Sequence, residues 1–461
     1  MKKAVFLGAI LAHPAFGLIF YESANPAANT EMAPTGVYAN AGWQHQIVID
    51  RESTRNLFFG TIISPKHFVT ARHLEFGQAG TDARVFVTQP DYVTGTVEKV
   101  YTLRNATSPS SIQFDDDGTF ANSDLYVYEI WETFPDFAEL YSGTDEFRKE
   151  VVITGFGDSR GTAVNTTKGE RGWRPDVTAR KGRWGTNIVD GEAGSNAGPL
   201  LYCDFDAQGV TPPGDVLDPD DADATTHEVQ AANKDSGGGW FIKQGGVWKL
   251  AGINYVVDTY GTVEGSTFNR WAIYDGVGLY NGDSTTPIQP CSIFGCDFYR
   301  RSHTYATRVS EHVTAINTVI QPAKDAALLS ALGRFEVWAE GYGLASGVAT
   351  DGDADKDGLG NLAEYLTESD PDDHGERNLP LTVDLTMAGS HTFTMIETLD
   401  LAGRGLATVL EVSDDLVQWD PVTGTTEDSN VVDSIAGTRT RELTKSFAGT
   451  GAVYYRLKIT L

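Results

Sequence analysis

Lys234-Asp235-Ser236-Gly237-Gly238-Gly239 is the stretch on which the reading of this chain turns, with Thr70-Ala71-Arg72-His73 and Asn122-Ser123-Asp124-Leu125-Tyr126-Val127 before it in that order. A serine used as a nucleophile needs a base to take its hydroxyl proton, a carboxylate to orient that base, and donors for the oxyanion. Ser236, His73 and Asp124 are candidates for the first three roles. The glycines after Ser236 let a substrate backbone approach, and a turn there aims successive amides at one point.

The flanks carry more. Asp124 to Ile130 is rich in β-branched and aromatic residues, as suits a strand that holds one carboxylate inside the protein. Val309, Val313, Ile316 and Ile320 repeat with a helical period. Taken with Phe59 to Thr70, Val151 to Gly157 and Trp248 to Ile253, these segments place residues 59–320 in resemblance to the chymotrypsin- and trypsin-like serine proteases. Phe59 to Thr70 resembles the strand, turn and strand leading to their histidine, and Ala71 is the small residue found there. Val151 to Gly157 resembles a strand ending in Gly-aromatic-Gly, and Trp248 to Ile253 the strand after the serine loop. The segment from Tyr305 onward resembles their terminal helix. The chain order His, Asp, Ser is also that of this family.

The resemblance implies a mainly β, chymotrypsin-like double β-barrel and hydrolysis of peptide bonds through an acyl-enzyme. His73, Asp124 and Ser236 would be catalytic, the amides of Lys234 and Ser236 the oxyanion donors, and protein or peptide chains the substrates. Gln230 aligns near the base of the substrate pocket, where trypsins carry an aspartate, with Ala231 and Ala232 beside it. An uncharged pocket follows, and cleavage after Arg or Lys is not expected from it. Lys234 departs from the family's glycine; if the position needs a left-handed backbone, lysine strains it or turns the peptide away. Gly239 replaces a usual proline. The activation sequence, a basic residue before Ile-Val-Gly-Gly, is absent, and Gln46 to Ile49 lies too close to His73 to replace it. Asp235 is the residue that would receive a new amino terminus. The alternatives are a pseudoprotease that binds peptides without cutting them and an extracellular, calcium-dependent adhesion protein.

Length bounds the rest. A chain of 461 residues with 41% hydrophobic residues suits two or three domains with ample cores. Met1-Lys2-Lys3 followed by Ala4 to Ala12 reads as a secretory signal over residues 1–17, with Ala15-Phe16-Gly17 as the small-x-small cleavage site. It is too short to span a membrane, and no later stretch reaches that length. A secreted, cell-surface or periplasmic location follows. The formal charge of −28 speaks against nucleic acid and anionic membranes as partners. Of three cysteines, Cys291 and Cys296 could pair across a tight loop, leaving Cys203 over. Arg160 to Gly191 and Asp204 to Glu228 read as loop-rich tracts, the second as a solvated acidic insertion, with a calcium-binding loop as the minority reading.

Residues 18–322 are therefore expected to form the catalytic domain, 323–375 a helical linker and 376–461 a small β-sandwich. Ala323 to Gly343 has the spacing of one helix, with Leu328, Leu332, Phe335, Trp338 and Tyr342 on its apolar side. Counting from Asp353 as position one of a calcium loop, Asp355 falls at three, Asp357 at five, Gly358 at six, Leu359 at seven, Asn361 at nine and Glu364 at twelve. Alternate oxygens of a curled loop point inward, the glycine permits the bend and the glutamate closes the shell. This predicts structural calcium held by Asp353, Asp355, Asp357, Leu359, Asn361 and Glu364. The segment, with Glu368-Ser369-Asp370-Pro371 behind it, resembles linkers of exported bacterial multidomain proteins. Short strands at Leu381 to Asp384, Thr392 to Met395, Thr408 to Ser413 and Val453 to Leu461 suggest an all-β module; Val412 to Trp419 and Tyr454 to Leu457 resemble the C-terminal sandwich of those proteins, which implies cell-surface or matrix contact.

Overall fold

The computed structural model describes residues 18–21, 29–30, 32–51, 56–74, 85–91, 96–104, 112–113, 123–166, 169–176, 181–195, 198–208, 224–258, 271–275, 301–387, 390–433, 435–446 and 453–461. The expected signal over residues 1–17 and the pair Cys291 and Cys296 lie outside the described residues, as do Asp215, Asp218, Asp220, Asp221 and Asp223 of the acidic tract. The chain is mainly β, built from several antiparallel sheets.

Two seven-stranded sheets carry the N-terminal two thirds. The first runs in the order Thr96–Thr102, Val85–Asp91, Gln46–Arg51, Asn56–Ile62, His67–Ala71, Leu125–Glu129, Ile112–Gln113. The second runs Arg183–Ile188, Glu150–Gly155, Gly239–Gln244, Val247–Val257, His303–Arg308, Gly198–Asp204, Gly191–Ser195. Among the described residues neither sheet closes on itself. Their apolar faces meet: Phe59, Phe68, Val69, Leu125 and Val127 of the first share one buried cluster with Val152, Phe241, Leu250 and Ile253 of the second. Burial of this many aliphatic and aromatic side chains is the main force holding the sheets together.

The tract Arg160 to Gly191 is not loop-rich. It forms the strands Ser159–Thr166, Gly169–Asp176 and Arg183–Ile188. The first two pair in a separate three-stranded sheet with Ala272–Ile273, anchored by buried Trp173. In the second tract the described aspartates are not solvated: Asp204 and Asp206 are buried and both receive the Arg301 guanidinium. A charge that leaves water needs such a partner. Cys203 is a buried free thiol.

The helix Val313–Ala327 returns to the first core through Ile316 and Ile320, both fully buried. It passes through residue 322 without a break, so the boundary expected there falls inside a helix. The single helix expected from Ala323 to Gly343 is instead the end of this one and a second, Ala331–Gly341, begun by Ser330, whose side chain accepts from the Gly333 amide. That serine cap breaks the run, and Leu328, expected on the apolar side, is left 86% exposed.

Residues from 381 form a four-stranded sheet, in the order Leu381–Met387, Ser390–Thr398, Thr438–Ser446, Thr426–Asp433, and a three-stranded one, Asp420–Pro421, Ala407–Ser413, Tyr454–Thr460. Phe393, Met395, Leu410 and Leu443 from the two sheets fill one core. This module sits on the hairpin that leads to His73: Lys66, at the hairpin turn, donates to Asp400 and to the Trp131 carbonyl (2.6 Å), and Thr133 donates to the same Asp400 at 2.8 Å.

Candidate active site

The strand His67–Ala71 runs directly into a short helical turn, Arg72–Leu74, that carries His73. It pairs with Leu125–Glu129 in the register Ala71 to Leu125, so Asp124 is delivered beside His73 by the sheet itself. Asp124 Oδ1 accepts from the His73 backbone amide at 2.8 Å, and its Oδ2 lies 2.7 Å from His73 Nδ1. His73 Nε2 lies 2.8 Å from Ser236 Oγ. Asp124 is 5% exposed while the His73 side chain is 41% exposed. The carboxylate is thus sheltered from competing water and the imidazole edge remains open to an incoming molecule. The Tyr255 ring stands edge-on to His73, 6.0 Å between centroids.

Ser236 is held by packing that only glycine permits. A Cβ on Gly237, at φ +87°, would fall 2.1 Å from the Phe59 carbonyl of the first sheet, and one on Gly238 2.0 Å from the Thr154 carbonyl of the second. The serine loop is wedged between the sheets. Asn254 fastens it: its Nδ2 donates to the carbonyls of Thr154 (2.8 Å) and Asp235 (3.0 Å), its carbonyl accepts from the Gly237 amide, and its Oδ1 accepts from Trp240 Nε1 at 2.6 Å. Asn254 was not among the residues expected from sequence. The signal available was a lone asparagine in the strand Val247–Val257, which apart from Lys249 carries no other strongly polar side chain.

Lys234 adopts φ +77°, in the left-handed region that favours glycine. The lysine neither breaks the turn nor leaves it. Its Nζ stands 5.1 Å from the Phe58 ring centroid, and the cost of the backbone conformation is about 1 to 2 kcal/mol. Among the described residues the Ser236 amide has no acceptor, whereas the Gly237 and Gly238 amides are engaged by Asn254 and Asp235.

Asp235 is buried beneath this loop. Its oxygens accept from the amides of Gly157 (2.6 Å) and Ala232 (2.7 Å), and the Leu18 amide also bonds to it. Burial pushes its carboxyl up to about 7 despite those amides, with Asp158 adding to the rise. Leu18 and Ile19 are fully buried, and Ile19–Phe20 pairs with Val229–Gln230. The expected cleavage point after Gly17 therefore borders a segment plugged into the molecule beside Asp235.

Gln230 does not line the pocket beside Ser236. It is buried in the strand Val229–Gln230, where its Nε2 donates to the His303 carbonyl at 3.3 Å. The lining is Ala231, Ala232, Lys234, Asp235, Ser236, Asn254, Tyr255, Val256, Val257 and Tyr305.

Of the residues expected to bind a metal, Asp353, Asp355 and Asp357 bring one oxygen each within 4.8 Å of one another. Their other contacts shape the loop: Asp353 Oδ2 accepts from Gly358, Asp355 Oδ1 from Asp357 and Asp357 Oδ1 from Leu359. Asp353 Oδ1, Asp355 Oδ2, Asp357 Oδ2 and both Glu364 oxygens are shut off from solvent without a hydrogen-bond partner. Burial first, then the neighbouring aspartates, push the Glu364 carboxyl up to about 7. Asn361 behaves otherwise: its Oδ1 accepts from Ala354 and its Nδ2 donates to Ala349, so its amide clips the loop together. No protein-family model matches the chain, and no curated protein matches it.

Proposed function

We propose that the chain is a secreted serine endopeptidase whose two seven-stranded sheets are the barrels of a chymotrypsin-like fold with the active site in their seam. Ser236 Oγ attacks the peptide carbonyl as His73 Nε2 takes its proton, and Asp124 holds the imidazole tautomer and stabilises the imidazolium. His73 then returns the proton to the leaving amine. Water, deprotonated by the same nitrogen, releases the acyl group and frees Ser236. The amides of Lys234 and Ser236 are assigned to the oxyanion. The observation that carries this reading is the unbroken chain from Asp124 through His73 to Ser236, with contacts of 2.7 and 2.8 Å.

Leu18 supports it from a second side. Cleavage after Gly17 would place a charged α-amine where the Leu18 amide now meets Asp235, neutralising a buried carboxylate that has only amides around it. The direct test is fluorophosphonate labelling and casein hydrolysis by a chain beginning at Leu18, against its Ser236→Ala variant. Labelling confined to Ser236, with turnover, is expected; a chain that neither labels nor cuts would favour the peptide-binding pseudoprotease or the adhesion protein.

The acidic loop is read as a structural calcium site. Five buried carboxylate oxygens without donors fit a hard cation with oxygen ligands, held by Asp353, Asp355, Asp357, Glu364 and the Leu359 carbonyl. Asn361, whose Oδ1 accepts from Ala354 and whose Nδ2 donates to Ala349, braces the loop. Calcium there would neutralise the loop and stiffen the joint between the helix Asn361–Thr367 and the C-terminal module; it takes no part in the hydrolysis.

A further inference from the structure

The pocket beside Ser236 is small, and polar and apolar groups share its lining. Ala231, Ala232, Val257 and Tyr305 are each under 10% exposed, and Val256 pairs directly with Tyr305 across two strands, so that the side away from the serine is closed by the tyrosine strand. The cavity is about 20 Å³. Some 10 to 15 Å³ holds one water, so the space admits one or two methyl-sized groups and no ring or guanidinium. Of the two charged residues of the lining, Asp235 is tied to amides and the Lys234 ammonium stands over Phe58.

We infer, building on the assignment of Ser236 as nucleophile, that the substrates are chains with a small uncharged residue, alanine above all, on the acyl side of the scissile bond, and that Tyr305 sets the size limit. An alanine methyl fills the space; a valine fits tightly. Leucine, phenylalanine and arginine must displace Tyr305 or Val256, and forcing extra groups into a packed site costs about 1 to 3 kcal/mol. That corresponds to roughly 10- to 200-fold in kcat/KM. The rule does not rest on Gln230, which lies outside this lining. Tyr305 accounts for the size.

The test is a set of peptide p-nitroanilides that differ only in the residue before the scissile bond: Ala, Val, Leu, Phe and Arg. For the chain beginning at Leu18, kcat/KM should be highest for Ala, about tenfold lower for Leu and about a hundredfold lower for Phe and Arg. Tyr305→Ala should raise Phe relative to Ala by at least about tenfold, while Tyr305→Phe keeps the order. Val256→Gly carries the same expectation by a separate wall, and the unsubstituted chain decides the order by itself if either variant fails to fold. Labelling of Ser236 by a fluorophosphonate, measured in parallel, separates the two ways to fail. Labelling with Phe or Arg cleaved as fast as Ala overturns the pocket assignment and leaves the nucleophile standing; no labelling and no turnover overturns both.

Discussion

The two sites of this molecule stand in opposite electrostatic conditions. At Asp124, His73 and Ser236 each polar group meets another within the chain: the buried carboxylate has the His73 amide and ring, and the ring has the hydroxyl. At Asp353, Asp355, Asp357 and Glu364, five carboxylate oxygens are enclosed and meet nothing. Buried acceptors without donors are costly, and buried like charges more so. The first arrangement is complete as folded; the second leaves its carboxylate oxygens without donors. Asp235 falls between them, with amides enough to hold it in place and no positive charge to hold it ionised.

The sharpest way to break the comparison is to remove a member of the closed site. Ser236→Ala or His73→Ala should each lower turnover by about a million-fold, because such groups act as a unit. Asp124→Asn should lose about ten-thousand-fold by setting the wrong histidine tautomer. Steady-state hydrolysis of an alanyl p-nitroanilide reads all three. Losses below tenfold in any of them would mean that the hydrogen-bonded row is not the catalytic one.

Next in size is the effect of the amino terminus. A chain extended by two residues ahead of Leu18 keeps Asp235 without a countercharge. The folded carboxyl, at about 7 against the ordinary 3.8, then holds its proton more tightly than the unfolded one. Stability should fall as pH rises from about 4 to 7. With the Leu18 amine free, the carboxylate stays ionised and this fall should vanish. Thermal unfolding of both forms at pH 5 and pH 8 tests it, with Asp235→Asn expected to erase the difference between them. Identical pH profiles for the two natural-sequence forms would remove the amine from the account.

Calcium should act more mildly and at a distance. At a hundred times its dissociation constant, a ligand specific for the folded state stabilises by about 2.7 kcal/mol. Chelation should therefore lower the unfolding midpoint and expose residues 349–368 to proteolysis, with Glu364→Gln and Asp355→Ala abolishing the response. Calorimetry at millimolar calcium gives the independent reading; equal heats in the variants and the unsubstituted chain would mean an acidic linker and no more.

How far all this was legible follows from where the information sits. Ser236, His73 and Asp124, proposed for catalysis, stand out because that chemistry needs specific side chains in short, recognisable surroundings, and the loop proposed for calcium stands out because its acidic residues lie within twelve positions of chain. The strands Ser159–Thr166 and Thr438–Ser446 did not, since they are built mostly of polar residues and lack apolar alternation. Thr438–Ser446 is nonetheless an inner strand, held by Leu443 in the core and by cross-strand pairs such as Arg439 with Glu397. Asp204 and Asp206 looked like surface charge because their partner, Arg301, lies about a hundred residues away. Asn254 and Tyr305 act through registers that only the folded sheet sets.

The smallest predicted effect concerns Lys234, for which the sequence taken alone left a gain in activity and a neutral outcome both open. Had lysine turned its amide out of the serine loop, Lys234→Gly should raise activity tenfold or more. At φ +77° the lysine already has the backbone that glycine would adopt. Replacing it relieves about 1 to 2 kcal/mol of left-handed strain. It also loosens the unfolded chain, which costs about 0.4 to 1 kcal/mol, and gives up the ammonium over Phe58, worth about 0.5 to 1 kcal/mol. The opposing terms nearly cancel. Lys234→Gly should thus shift the unfolding midpoint by no more than a few degrees and leave kcat/KM within about threefold. A large gain in turnover would show that the amide at Lys234 is misdirected after all, and that the closed site lacks its oxyanion donor.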